Sequence, residues 1–313
     1  MAKIDGVVVE VTALTDRISS LTIAAVDGGA LPGWEAGAHV EFDVASGSRA
    51  YSLVSFDPVQ NDPTRYRIAV QREDDGTGGS LAMHSLNVGD KIAFSAPKND
   101  FAINPNAAGV FLAGGIGVTP LISMATALGF AGQNVAFHFA GRSAGVMAFR
   151  QELADTWGPE FHLHCDDAET KLDLDAIIAS LGDAHLYVCG PRGMMDAVRL
   201  KAEAASIPAT RIHFELFEAA HTQEGDTAFE VQINDGTVYT IPADKSIIEV
   251  LEENDVDVMY DCQRGDCGIC QCDVIDGTPD HRDVVLSDAE RAAGDVMQIC
   301  VSRAKSAKLV LDI

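Results

Sequence analysis

The chain has 313 residues, 47% of them hydrophobic, which is too long for one ordinary core and fits two or three domains. Its formal net charge of −25 argues against nucleic acid and anionic membrane surfaces as partners, because both need a basic face. No stretch approaches the roughly 18 uncharged apolar residues of a membrane span, and the charged, alternating start MAKIDGVVVEVTALTDR does not read as a signal peptide, so a soluble cytoplasmic protein is expected.

Residues 1–103 alternate apolar and polar side chains at 7–11, 21–26, 39–44, 66–70 and 91–94, with Gly and Pro between. This pattern predicts a small antiparallel β-barrel. From 104 to 218 the pattern changes. Strand-like runs at 109–113, 134–139, 161–164 and 185–188 alternate with helix-like runs at 120–128, 149–156, 173–180 and 193–205. Strands alternating with helices imply βαβ units and an α/β parallel sheet. Residues 219–228 are small and polar and read as a linker. The last segment, 229–313, opens on a hairpin signal, 229–233 and 237–241 around Asn234-Asp235-Gly236, then a short helix at 246–253.

Five of the seven cysteines fall within 262–313, and four follow the spacing C-x4-C-x2-C-x29-C at Cys262, Cys267, Cys270 and Cys300. Three thiolates on one tight loop and a fourth far downstream is the plant-type [2Fe–2S] arrangement, and sulfur is a soft donor suited to iron. Gly265 and Gly268 let the loop turn sharply between the ligands. Zinc is the competing reading, but zinc sites more often pair two-ligand knuckles. Buried structural cysteines are a second competitor, and a loop rich in Gly, Asp and Arg argues against them. Cys272 and Cys165 read as small packed side chains.

Two glycine turns stand at strand ends. Gly114-Gly115-Ile116-Gly117-Val118-Thr119-Pro120 leads from a strand into a helix, whose first N–H groups suit phosphate. Pro120 suits the first helical turn. Cys189-Gly190-Pro191 closes a second strand. Ligands bind at the carboxyl ends of parallel strands, so both turns point to one crevice. Either run, taken alone, could be a tight structural turn.

The motifs Arg49-Ala50-Tyr51-Ser52, Gly78-Gly79-Ser80, Gly114 to Pro120, Cys189-Gly190-Pro191 and the four cysteines occur in that order. Together they make the whole chain resemble the ferredoxin–NADP reductase superfamily, in its phthalate dioxygenase reductase and vanillate O-demethylase reductase branch. That resemblance implies a flavin-binding barrel, a pyridine-nucleotide α/β domain and an α+β β-grasp ferredoxin domain. It implies that Arg49 neutralises a flavin phosphate, that Tyr51 lies on the isoalloxazine and that Ser52 bonds near flavin N5. Ala50, Ala69 and Val70 would line the ring, and Gly78, Gly79 and Ser80 would receive the phosphate. Thr119 would touch the flavin or the nicotinamide and Cys189 would sit near the nicotinamide, and with Ser52 they make the catalytic set. Phe217 would cover the other flavin face, although packing beside the linker would suit it too.

FMN is favoured over FAD, and NADH over NADPH, by the branch alone. Arg142, where an acidic ribose ligand would otherwise stand, argues for NADPH. The resemblance further implies electron delivery to a terminal Rieske-type oxygenase by an isolated monomer. The 226–313 segment holds 19 Asp and Glu against 7 Lys and Arg, a net of −12, so a basic docking face is expected on that partner. A cytochrome P450 acceptor and a redox-sensing iron–sulfur flavoprotein are the alternatives.

Overall fold

The computed structural model describes residues 3–45, 47–59, 61–217 and 225–313. Most of the stretch read as a linker, and residue 218, lie outside the described residues. The chain divides into two compact units, Met1–Phe214 and Glu215–Ile313.

The first unit holds two sheets. One is antiparallel and six-stranded, built from β1 (Ile4–Ala13), β2 (Ile18–Ala25), β3 (His39–Val44), β4 (Gly47–Ser52), β5 (Arg65–Gln71) and, after helix α1 (Gly79–His84), β6 (Lys91–Phe94). Its order is β4-β3-β6-β1-β2-β5. The alternation along β2 sends Leu21 and Ile23 inward, where they join Val8, Phe42, Ile68 and Phe94 in one core. The two edges approach one another where the Val54 N–H donates to the Arg67 carbonyl at 2.8 Å, bending the sheet toward a barrel.

The second sheet runs β11-β10-β7-β8-β9. Its strands are β7 (Gly109–Gly114), β8 (Val135–Gly141), β9 (Phe161–Cys165), β10 (His185–Cys189) and β11 (Ile212–Glu215), with helices α2 (Val118–Phe130), α3 (Arg150–Trp157), α4 (Leu174–Ser180) and α5 (Arg192–Ala204) between them. The β10, β7, β8 and β9 ladders are parallel. Phe111 stacks between Tyr187 at 5.2 Å and Phe137 at 6.0 Å along one face. Helix α2 is buried almost all round, which is why its sequence is apolar on every side. The short strand β11 escapes the sequence pattern, because four residues at a sheet edge carry no readable period.

The second unit is a mixed sheet, β13-β12-β18-β14-β16, with a two-stranded β15-β17 ladder. The strands are β12 (Phe229–Gln232), β13 (Val238–Ile241), β14 (Gln271–Asp276), β15 (Pro279–Asp280), β16 (Val296–Gln298), β17 (Arg303–Ala304) and β18 (Lys308–Leu311). Helix α6 (Ile247–Glu252) starts on a capping box between Ser246 and Glu249 and buries Ile247, Ile248 and Leu251 on the sheet. Helix α7 (Asp288–Ala293) has a second capping box, Ser287 with Glu290. The expected hairpin is present, Phe229 pairing with Ile241.

Candidate functional site

In the first unit, strand alternation sends Arg49 and Tyr51 to one side of β4 and Ala50 and Ser52 to the other. Arg49 is half-buried, donating Nη1 to the Ser48 carbonyl at 2.7 Å and Nη2 to Thr77 Oγ1. Its side chain lies over Gly79, where an added Cβ would sit 2.4 Å from Nε. Gly78 precedes α1 at φ 90, a left-handed conformation that favours glycine. Ser80 Oγ accepts the Glu73 N–H at 2.9 Å and closes the loop between them. A guanidinium held over a helix start is a fitting anion cradle.

Burial pushes the Tyr51 hydroxyl up to about 12, against the pull of Arg49, so it stays protonated at neutral pH. Ser52 is 4% exposed, and its Oγ has no hydrogen-bond partner among the described residues. An unpaired buried hydroxyl costs about 1–3 kcal/mol. A ligand atom at this point satisfies it, and a flavin nitrogen fits. Ala69 and Val70 are buried on β5, and that strand lies against the Gly115–Gly117 turn. The Val70 carbonyl already meets His84 Nε2 at 2.9 Å, which fixes this edge of the barrel.

Strands β7 and β10 are neighbours, with Ala113 opposite Cys189. The two glycine turns that follow them therefore pack on each other. A Cβ on Gly117 would lie 2.3 Å from the Cys189 oxygen, and one on Gly114 2.5 Å from Pro191 Cδ. A Cβ on Gly190 would likewise come within 2.8 Å of Gly114 Cα. These three glycines are explained by close approach of chain to chain. Gly115 differs: its φ is +57, and the space beside it is open. Arg142 follows directly on β8, so residues from the carboxyl ends of β7, β8 and β10 share one edge of the sheet.

Thr119 and Cys189 are both buried, and Thr119 Oγ1 donates to the Ile116 carbonyl at 3.0 Å. Pro120 is the third residue of α2, within the first turn as expected. Sequence reasoning missed Ser123. One helical turn beyond Thr119, its hydroxyl accepts the Ser55 N–H at 2.9 Å and donates to the Leu53 carbonyl at 2.6 Å. A lone serine in an apolar helical run was the available signal. Phe217 is 41% exposed and belongs to the second unit.

In the second unit, Cys262, Cys267, Cys270 and Cys300 come together. Cys262 contacts Cys267 and Cys300, and Cys300 contacts Cys270. Cys270 and Cys300 are buried, while Cys262 and Cys267 are part-exposed on the loop. The left-handed Gly265 at φ +85 lets the loop pass Val301 and Asp283, where a Cβ would come within 2.6 Å of Val301. The Arg264 N–H points at Cys262 Sγ, 3.3 Å away.

Hydrogen bonding from Cys300, then from Asp266 and the Arg264 backbone, holds the Cys262 thiol far below its usual range. The same contacts drive Cys300 up, and burial drives Cys267 up to about 11. Four adjacent sulfurs cannot all ionise without cations among them, and iron supplies that charge. Among the described residues no three His, Cys, Asp or Glu side chains are grouped to hold a single metal ion. The sulfur contacts instead run as a chain, from Cys267 to Cys262 to Cys300 to Cys270. Cys272 sits apart on β14 opposite Met297, its thiol pushed up to about 12 by burial.

Residues 231–305 match the 2Fe-2S iron-sulfur cluster binding domain family. The chain is 37% identical to the carnitine monooxygenase reductase subunit of Escherichia coli (strain K12), over 97% of this chain and 96% of that one. The solved structure of phthalate dioxygenase reductase, described as modular for electron transfer from pyridine nucleotides to [2Fe-2S], superposes with a TM-score of 0.71 at 36% identity, covering 100% of this chain and 98% of that one. An intact type IV self-sufficient cytochrome P450 monooxygenase gives a TM-score of 0.72 at 34% identity over 99% of this chain, which spans only 41% of that longer one. With its barrel, parallel sheet and cysteine-bearing third sheet in the same order, the chain belongs to the phthalate dioxygenase reductase family of flavin- and pyridine-nucleotide-dependent iron–sulfur oxidoreductases.

Proposed function

We propose that this chain is the NADH-dependent reductase component of a terminal Rieske-type oxygenase or demethylase. When bound, FMN and the [2Fe–2S] cluster supply the redox chemistry, taking two electrons as hydride and passing them on singly. The protein's own residues position and exclude. Arg49, over Gly79 and Ser80, holds the flavin phosphate. Tyr51 and Ala50 flank the ring, and Ser52 donates its otherwise unpaired hydroxyl where hydride arrives. Gly115, Thr119 and Cys189 shape the crevice that brings nicotinamide to that atom, with Arg142 on its rim. Cys262, Cys267, Cys270 and Cys300 hold the cluster.

The observation that carries this reading is the buried Ser52 hydroxyl at the end of β4, without a hydrogen-bond partner among the described residues. FMN is favoured over FAD by the resemblance to this branch alone. The purified holoprotein's visible spectrum, with cofactor extraction and separate titrations with NADH and NADPH, tests the reading. Bleaching of FMN by NADH followed by loss of iron–sulfur absorbance is expected; no bleaching by either nucleotide would sink it.

Delivery to a cytochrome P450 is the second reading, supported by the similarity of the whole chain to part of a self-sufficient P450 monooxygenase. Mixing the reduced protein with purified Rieske and P450 acceptors and comparing transfer rates separates the two.

A further inference from the structure

Gln298 is completely buried on β16, two residues before Cys300. Its carboxamide spans two partners. Oε1 lies 3.4 Å from Cys270 Sγ, and Nε2 donates to Gln271 Oε1 at 3.0 Å. The strands fix this arrangement, because Gln271 on β14 pairs with Gln298 on β16. A thiol can donate to the amide oxygen. A cysteine bound to iron is a thiolate and can only accept. Leaving Oε1 against it would set two acceptors face to face in a buried site. A half-turn of the amide removes the conflict, since it exchanges Oε1 and Nε2 in nearly the same volume. Gln271 can follow, because its side chain is exposed and its own amide can turn to donate.

We propose that Gln298 is a positioning residue for electron transfer: it turns on cluster assembly, donates its side-chain N–H to Cys270 Sγ, and thereby raises the cluster's reduction potential. The inference rests on the reading of Cys270 as a cluster ligand. The direction follows from charge. Reduction adds an electron to the cluster and its sulfurs, so a donor at sulfur stabilises the reduced state more than the oxidised one. In a buried site that preference is weakly screened. The Arg264 N–H and the Asp266 side chain also meet Cys262, and a substitution at Gln298 leaves both in place.

The test is a spectroelectrochemical titration of the holoprotein and two variants. Gln298→Leu removes the donor at similar volume. It is expected to shift the oxidised-to-reduced ratio at the parent's midpoint about tenfold toward oxidised, equivalent to about 59 mV for a one-electron couple. Gln298→Glu puts an acceptor and a negative charge there and is expected to shift it further the same way. Parental midpoints in both variants would overturn the proposal. Should either variant fail to hold its cluster, the unaltered chain decides. With glutamine side-chain amides labelled with ¹⁵N, the reduced cluster's pulsed EPR spectrum should show a nitrogen coupling that persists in Gln271→Leu. Absence of that coupling in the parent also overturns it. A parent with no reduced-cluster EPR signal at all would instead remove the ligand reading itself.

Discussion

The hydroxyl of Ser123 donates to the carbonyl of Leu53 at 2.6 Å while accepting the Ser55 N–H at 2.9 Å. One side chain on α2 thus replaces the strand partner that β4 loses as it leaves the barrel. Ser52, just before this segment, and Thr119, one turn earlier on α2, are thereby held in a fixed register across the two sheets. Ser123→Ala leaves the part-buried Ser55 N–H and the buried Leu53 carbonyl without this partner, a cost of about 1–3 kcal/mol. It is expected to lower the first unit's melting temperature and to slow flavin reduction by about tenfold or more, since small misplacements of reacting groups are costly. Stopped-flow bleaching at saturating NADH measures this, and an unaltered rate constant would count against the register argument.

Ser52→Ala should behave in the opposite way on stability. Its hydroxyl has no partner among the described residues, so removing it breaks no hydrogen bond among them. The flavin-free chain should be as stable as the parent or more so, by up to about 1 kcal/mol. Flavin reduction should nevertheless slow by about two orders of magnitude, in the range of a lost transition-state hydrogen bond. Calorimetry of the flavin-free protein paired with single-turnover reduction of the loaded one reads both, and a loss of stability without a loss of rate is the contrary result.

These two serines mark what the sequence makes legible. Ser52 is readable because it ends a motif of adjacent residues on one strand. Ser123 is not, because its partners lie some 70 positions earlier and only the packing of helix on strand brings them together. The cluster cysteines are readable because three share one loop and their chemistry is narrow. The glycines of the first turn are legible as glycines but not for their reason. Most of them make room for the second turn, and Gly115 alone faces open space. Gln298 carries no signal in sequence, since a glutamine on a strand becomes notable only when Cys270 is found beside it.

Asp226 lies in the stretch that composition assigns to a linker, yet it is locked in place. Arg282 grips both of its oxygens, at 2.8 and 2.6 Å, and Arg303 approaches at 3.6 Å, all three side chains at or below 10% exposure. Asp226→Ala would leave two buried guanidiniums short of a counter-charge. Breaking such a pair from one side costs about 3–5 kcal/mol. Thermal unfolding followed through the iron–sulfur absorbance should show the second unit melting earlier, with flavin release unchanged. Equal melting of parent and variant would mean that Asp280 suffices as the partner of Arg282.

A histidine cluster gives the first unit a pH dependence. His138 stacks on His162 at 4.6 Å and meets His164 through Nδ1 at 3.0 Å. Burial, then the neighbouring His162 and His164, pull the His138 pKa down to about 4. His213 is pulled down to about 4 as well, by burial and then by His185. Above pH 6.5 both states are neutral and nothing is lost. Below it the unfolded chain takes up protons that the folded chain refuses until about 4, so stability falls through that window. The slope is at most about 1.4 kcal/mol per pH unit for each histidine, and smaller in practice because both His138 and His213 keep some solvent contact. Melting temperatures between pH 7.5 and 4.5 should drop less steeply in His138→Leu than in the parent, and parallel profiles would exclude His138 as a contributor.

Charge in the second unit bears on the acceptor. Within 226–313, 19 acidic side chains face 7 basic ones, and the net of −12 is nearly half of the whole chain's −25 in under a third of its length. An oxygenase that docks near the cluster should therefore present a basic face, and long-range attraction should speed encounter more than it tightens the complex. At about 0.1 M salt such fields fade beyond roughly 10 Å. The second-order rate of electron delivery should consequently fall as salt rises from 20 to about 300 mM, by an order of magnitude or more for a strongly steered pair. Reduction of the flavin by NADH, which on the proposed reading needs no partner protein, should change far less over the same range. Measuring both rates in one salt series separates docking from hydride transfer. A delivery rate indifferent to salt would assign the acidity to solubility alone.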